Sequence, residues 1–112
     1  MIKLYGIPNC NTVKKAQLFL DKKNVEYEFI NFKKTPPTMT QINKWKKAFG
    51  DWPVNKKGPT YRKIKDEFEA ADAKTKKNIL ISTTSAIKRP ILEIEEEVKL
   101  FGFKEEEYQG LF

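Results

Sequence analysis

A chain of 112 residues suits a single domain, and a domain of this size can bury a hydrophobic core without disulfides or metals. One cysteine and no histidine exclude an internal disulfide and nearly exclude a zinc site, so we expect no bound metal and no resident cofactor. No stretch approaches the roughly 18 apolar residues of a membrane-spanning helix, and the start of the chain lacks the apolar core of a secretory signal. We therefore expect a protein of the reducing cytoplasm, without a membrane partner.

The net charge of +7 is unevenly distributed along the chain. Residues 1–92 carry 20 Lys and Arg against 8 Asp and Glu, whereas residues 93–112 carry 2 lysines against 7 glutamates. Such an asymmetry can mark a face that binds anions or nucleic acid, or a lysine-rich surface that keeps the protein soluble. Lysines outnumber arginines 20 to 2. Because specific base and phosphate contacts favour arginine, this composition disfavours nucleic acid as a partner.

The first 32 residues have the pattern of a strand, a helix and a second strand. The segment "IKLYG" alternates over residues 2–6 and predicts a strand that ends at Gly6. From Thr12 onward apolar residues recur at helical spacing, which predicts a helix ending near residues 22–24. The segment "VEYEFINF" alternates again over residues 25–32. A strand–helix–strand unit of this length predicts that its two strands are parallel.

The middle of the chain is predicted to be helical. Thr38 or Thr40 can cap a helix that runs to Gly50. Residues 51–61 predict a loop, and residues 62–82 predict short helices.

The end of the chain predicts a hairpin and a helix. The segment "AIKRPILEI" over residues 86–94 predicts a strand with Pro90 near its start. The segment "VKLFGF", which follows the acidic turn "EEE", predicts the antiparallel partner of that strand. A short helix is predicted at the C-terminus. Without the helical middle this is the element order of a thioredoxin fold. We therefore predict a single α/β domain, with a thioredoxin-like mixed-sheet core over about 1–32 and 86–112 and a helical insertion over about 36–85.

Cys10, the only cysteine, lies in the turn sequence "IPNCN" between the first strand and the predicted helix. The unpaired N–H groups and the macrodipole at a helix start favour an anion, and the thiolate is the reactive form of cysteine. Lys14 and Lys15 oppose the macrodipole, which makes sense if a thiolate or an anionic substrate lies there; otherwise both point to solvent. The alternative hypothesis is that Cys10 is buried and inert. Buried cysteines usually lie within apolar segments, whereas the neighbours of Cys10 are Asn9 and Asn11.

Dithiol chemistry of the thioredoxin type needs a second cysteine three residues after the first. Val13 occupies that position, and the chain has no other thiol. Any redox cycle must therefore use an external thiol, such as glutathione or a partner protein.

Four segments, "LYGIPNCNTVKKA", "VNKKGPTYRKI", "IKRPIL" and "LFGFKEEEY", resemble in order the ArsC-type arsenate reductase superfamily. Within it they are similar to the Spx/MgsR/YffB-like branch, and most similar to the YffB-like proteins, for which glutathione-dependent thiol reduction is the suggested activity. The resemblance covers nearly the whole chain. It implies a thioredoxin-like α/β domain with a helical insertion, Cys10 as the nucleophile, a cis Pro90 facing it, and Arg89 as an anion-binding residue. From the residues alone, an Arg-Pro pair at a strand start could equally be trans.

The chain departs from the glutaredoxin-coupled arsenate reductases that it resembles. Those enzymes place three arginines around the thiol; Arg89 matches one of them, while the other two positions fall at Asn55 and near Gly102. Loss of two bidentate arginine contacts weakens oxyanion binding, whereas Asn55 matches the YffB-like branch. Spx-like regulators bind RNA polymerase and usually carry a CxxC switch, which Val13 removes.

Three functions remain open at this point. In the first, a monothiol oxidoreductase, the Cys10 thiolate forms a covalent adduct that glutathione resolves, with glutaredoxin as a further candidate partner. Thr12 and the helix N–H groups would steady the thiolate, and Lys14 and Arg89 would hold a carboxylate or small oxyanion. The second is an Spx-like binding protein that contacts RNA polymerase, and the third is an arsenate reductase with a reduced anion pocket.

Overall fold

The computed structural model describes all 112 residues. They form two compact units. The sheet unit comprises residues 1–32 and 89–112, and the helical unit comprises residues 33–88. Each unit has its own buried apolar residues.

The sheet unit contains four strands in the order β2-β1-β3-β4. Strand β1 pairs in parallel with β2 and antiparallel with β3, and β3 pairs antiparallel with β4. The mixed sheet confirms the predicted parallel pair and the predicted hairpin. The strands are β1 (Ile2–Gly6), β2 (Glu28–Asn31), β3 (Ile91–Ile94) and β4 (Glu97–Phe101).

Strand β2 is shorter than the predicted strand over 25–32. The backbone N–H of Val25 donates to the carbonyl of Leu20 at the end of the preceding helix. Because that hydrogen bond belongs to the helix end, the chain joins the sheet only at Glu28, where it pairs with Lys3.

Two helices of the sheet unit are α1 (Asn11–Lys22) and α5 (Glu105–Leu111). Their apolar sides meet one face of the sheet, as the alternation in β1 and β3 requires. The buried residues of this core are Leu4, Ala16, Phe19, Leu20, Leu92 and Tyr108.

The hairpin between β3 and β4 turns at Glu95 and Glu96, whose φ angles are 52° and 66°. Two consecutive left-handed residues are the geometry of a two-residue hairpin that matches the twist of its strands. The amino terminus of Met1 donates to the Glu95 carboxylate. That hydrogen bond, together with the positive charge, holds the pKa of Glu95 below its ordinary value.

The helical unit contains α2 (Met39–Phe49), α3 (Pro59–Ala70), α4 (Ala73–Ser82) and a 3₁₀ turn at Thr84–Ala86. Of the two predicted caps, Thr38 caps α2: its hydroxyl accepts from the N–H of Gln41, whose side chain accepts from the N–H of Thr38. Gly50 ends the helix with a φ of 85°. The reciprocal hydrogen bonds fix the start of α2 at one of the two predicted caps, and Gly50 ends the helix where the sequence predicts.

Helix α3 begins at Pro59, inside the stretch predicted as a loop over 51–61. Proline lacks a backbone N–H and has a φ suited to the first helical position, so it starts this helix rather than extending the loop. No helix in the chain combines the length and the apolar character needed to cross a bilayer.

Candidate active site

Cys10 is the N-cap residue of α1, directly after the loop that follows β1. Its backbone is extended, with φ −106° and ψ 124°, and its carbonyl accepts the first helical hydrogen bond from the N–H of Lys14 at 3.0 Å. The side chain is half-buried. The predicted position of the thiol, at the positive end of the helix, is therefore the observed one.

The thiol does not cap the helix that it precedes. No hydrogen bond joins its sulfur to the backbone N–H groups of the first turn, and that turn contains no acidic residue. Serine, threonine, aspartate and asparagine are the residues that stabilise such a position. Cysteine at this place leaves the N–H groups available to an incoming anion or to the thiolate itself.

The position three residues after Cys10 belongs to the hydrophobic core. Val13 is fully buried, and its Cγ2 lies 2.8 Å from where a Cβ on Gly6 would stand. Gly6 therefore lets the end of β1 approach α1 closely. At the position where a resolving cysteine would stand, Val13 packs between the end of β1 and α1.

The polar residues in the first turn of α1 differ in their exposure. Thr12 is half-buried, whereas Lys14 and Lys15 are exposed. Lys14 lines a groove of about 310 Å³ together with Gln17, Leu18, Asp21 and Tyr27. Partial burial and the neighbouring Asp21 carboxylate raise the pKa of Tyr27. Lys14 is thus next to a surface recess one turn from the thiol, while Lys15 does not line it.

The sheet register brings the start of β3 to the edge where β1 ends. Ile91 is the Cα partner of Tyr5, so Pro90 and the loop that carries Cys10 lie at the same edge of the sheet. The Arg89–Pro90 peptide bond is cis, as the resemblance implies. Arg89 is half-buried, and its Nε atom is inaccessible to solvent. Local residue patterns do not place this segment at the edge that carries Cys10, because nearly 80 residues separate them; the expectation came from the family resemblance.

Asn55 belongs to the helical unit, where its loop is fixed to the segment that leads to Arg89. Its N–H donates to the carbonyl of Ala86 at 2.8 Å, and the N–H of Lys88 donates to the carbonyl of Pro53 at 2.8 Å. Val54 and Ile87 form an antiparallel bridge between these hydrogen bonds. The participation of Asn55 in anion binding remains a prediction.

Gly58 sets the position of the Asn55 side chain, a role that the sequence did not reveal. A Cβ on Gly58 would stand 2.8 Å from Asn55 Nδ2 and 3.3 Å from its Cγ. The backbone of Gly58 is extended, with φ −80°, so alanine fits the backbone and only the amide is in its way. The one sequence signal was a glycine directly before the proline of "KKGPT".

Gly58→Ala is therefore expected to displace the Asn55 amide at a cost below about 1 kcal/mol in the free energy of unfolding. Gly110→Ala is the matched control, because a Cβ there meets nothing within 4 Å. Its helical position predicts a gain of up to about 1 kcal/mol. The side-chain amide signals of Asn55 in NMR spectra should shift in the first variant only. Unchanged signals in Gly58→Ala would show that the amide does not rest on this glycine.

No three His, Cys, Asp or Glu side chains are grouped so that they could hold a metal ion. The groups that the structure places at the start of α1 are one sulfur, the N–H groups of the first turn and the Lys14 ammonium group.

The comparisons with known proteins cover nearly the entire chain. The model of the ArsC family matches residues 5–111. An uncharacterized protein of Haemophilus influenzae is 34% identical over 114 residues, covering 100% of this chain and 99% of its own. A solved structure of a YffB protein is 33% identical, with a TM-score of 0.86, and covers 98% of this chain and 97% of its own. An arsenate reductase (ArsC) related protein from Brucella melitensis is 29% identical, with a TM-score of 0.74, covering 97% of this chain and 92% of its own. These likenesses confirm the predicted fold class, a thioredoxin-like α/β fold with a helical insertion.

Proposed function

The chain belongs to the ArsC family, and we propose that it is a monothiol oxidoreductase in which Cys10 exchanges disulfides with glutathione. The observation that carries this proposal is the position of Cys10. The only thiol is the N-cap residue of α1, makes no capping hydrogen bond, and precedes a first turn without carboxylates. Those conditions favour a thiolate and leave its sulfur available to react.

The reaction uses two thiol–disulfide exchanges. The Cys10 thiolate attacks one sulfur of a disulfide R–S–S–R′, so a Cys10–S–S–R bond forms and R′–S⁻ leaves. A glutathione thiolate then attacks the R sulfur, which releases Cys10 as a thiolate and yields R–S–S–glutathione. Because Val13 occupies the place of a resolving cysteine, the second step depends on the external thiol. In this proposal Lys14 and Arg89 hold a glutathione carboxylate, and Thr12 steadies the thiolate.

Gly102 lies near the position where the arsenate reductases that this chain resembles supply one of their three arginines, and its structure does not support arsenate reduction. Gly102 is buried and has a φ of 77°, and its N–H donates to the carbonyl of Pro90 at 2.8 Å. A long side chain in that left-handed conformation would be strained. The chain therefore favours glycine where an oxyanion pocket needs a cation.

Incubation of the reduced protein with oxidised glutathione is expected to add one glutathione to each chain, measured by intact mass. The same chain unfolded in urea is the matched control, since it contains the same single thiol without the helix. The adduct should form faster in the folded chain than in the unfolded one. Equal rates in the two, or no glutathione adduct at all, would contradict the proposal.

A further inference from the structure

The two units differ sharply in charge. The helical unit carries 14 Lys and Arg against 5 Asp and Glu, a net charge of +9, whereas the sheet unit carries 8 against 10, a net charge of −2. The thiol belongs to the sheet unit. The positive charge of the chain is therefore concentrated outside the unit that carries Cys10, and the proposed chemistry does not explain it.

Two ammonium groups of the helical unit converge on one indole ring. The Nζ atom of Lys46 lies 4.3 Å from the centroid of Trp52, and the Nζ atom of Lys76 lies 5.7 Å from it. Because both distances end on the same centroid, the two nitrogens are no more than 10.0 Å apart. No salt bridge joins either ammonium group to a carboxylate, and the nearby Asp51 contacts Lys56 instead, at 3.7 Å. Cation–π contacts orient these charges without neutralising them.

A recess lies beside Lys46 at the C-terminal end of α2. Its volume is about 540 Å³, and it is lined by Asn43, Lys46, Lys47 and Gly50. The partial negative charge of the helix C-terminus offsets only part of the two lysine charges. The recess therefore presents an excess of positive charge to solvent, and one of its two lysines, Lys46, lies over the Trp52 ring.

We propose that the Trp52 cluster, formed by Lys46, Lys47, Lys76 and Trp52, is a docking site for an acidic segment of a partner protein. Charge complementarity identifies the partner, because oppositely charged patches steer association and fix orientation. Proteins that bind single-stranded nucleic acid stack bases on open aromatic faces. Trp52 is half-buried, and Lys46 and Lys76 lie over its ring while Phe68 packs against it at 87°. A base would have to displace a lysine, whereas a carboxylate binds the ammonium groups where they are.

The test compares two double charge reversals that change the net charge equally. Lys46→Glu/Lys76→Glu reverses two of the three charges of the cluster, and Lys63→Glu/Lys65→Glu alters exposed lysines on α3 of the same unit. The probe is a fluorescein-labelled oligoglutamate peptide, and anisotropy gives its Kd at low salt. The first variant is expected to weaken binding at least about fivefold and the second less than about twofold. A Lys46→Gln/Lys76→Gln pair repeats the test without introducing carboxylates, and circular dichroism verifies the fold of each variant.

Three results would overturn the proposal. Equal weakening by the two reversals would show that only net charge matters. An oligothymidylate of the same charge that binds as tightly as the peptide would assign the surface to nucleic acid, and absence of peptide binding to the unaltered chain would remove the site altogether. All of these measurements can be made in a Cys10→Ser background, so they do not depend on the thiol chemistry.

Discussion

Cys10→Ser is expected to abolish the glutathione adduct while leaving the protein at least as stable as the unaltered chain. The adduct disappears because Cys10 is the only thiol, and a serine hydroxyl at neutral pH does not exchange with disulfides. Intact mass after incubation with oxidised glutathione measures this loss directly. A residual adduct in the serine variant would place the reaction on another group.

The stability of Cys10→Ser tests the role of Cys10 more stringently than the loss of the adduct does. Cys10 occupies the N-cap of α1 without a capping hydrogen bond, and serine is among the best residues at that position. A hydroxyl that accepts from the first-turn N–H groups should raise the free energy of unfolding by about 1 kcal/mol. Cys10→Ala serves as the control, because it removes the thiol without supplying a cap. Urea unfolding should rank the serine variant above the alanine variant.

A gain in stability on loss of reactivity would indicate why cysteine occupies this position. Natural proteins accept less stable residues where function requires them. If both variants were instead clearly less stable than the unaltered chain, Cys10 would be a packing residue. That result would favour the alternative reading of a buried, inert cysteine.

The sequence predicted those elements whose signals are local. The alternation of β1, the helical spacing of α1 and the cap of α2 at Thr38 or Thr40 all depend on residues a few positions apart, and the structure agrees with them, with Thr38 as the cap. The exceptions are boundaries that depend on a competing hydrogen bond or on a special residue. Val25 gives its N–H to Leu20 and shortens β2, and Pro59 begins α3 inside a stretch that looks like a loop.

Local residue patterns predicted only part of the candidate site, and the expectation for Arg89 and Pro90 came from the family resemblance. The turn before α1 already indicated a thiol at a helix start, because the turn residues and the helical pattern adjoin Cys10 in sequence. Arg89 and Pro90 are distant in sequence, and only the pairing of β3 with β1 brings them to that edge of the sheet. The close approach of Gly6 to Val13, like that of Gly58 to Asn55, is a contact between side chain and backbone. Contacts of this kind leave no periodic pattern in a sequence.

Tyr108→Ala is expected to produce the largest loss of stability of any single change considered. Tyr108 is the one buried residue of α5, a helix of 7 residues that is too short to be stable by itself. Its ring is fully buried, and ring centroids lie 4.7 Å away at Phe103, 5.7 Å at Phe19 and 6.5 Å at Phe112. Truncation of a buried aromatic side chain costs about 3–5 kcal/mol, a large share of the 5–15 kcal/mol typical of a domain. Urea unfolding measures the loss, and Leu111→Ala, on the exposed side of α5, should change the free energy of unfolding by less than about 0.5 kcal/mol.

Tyr108→Phe separates the ring from its hydroxyl. The hydroxyl lies 3.5 Å from the carbonyl of Gly102, at the long end of hydrogen bonding, so its loss should cost no more than about 1 kcal/mol. Burial raises the pKa of Tyr108 well above its ordinary value, and the nearby Glu107 carboxylate acts in the same direction. The unfolded chain therefore releases this proton near pH 10 while the folded chain retains it, so the contribution to stability is full below about pH 10 and falls as the pH rises further. The phenylalanine variant should lose less stability between pH 9 and pH 11 than the unaltered chain. Parallel curves for the two proteins would show that Tyr108 ionises equally in both states and that its hydroxyl is not shielded from water.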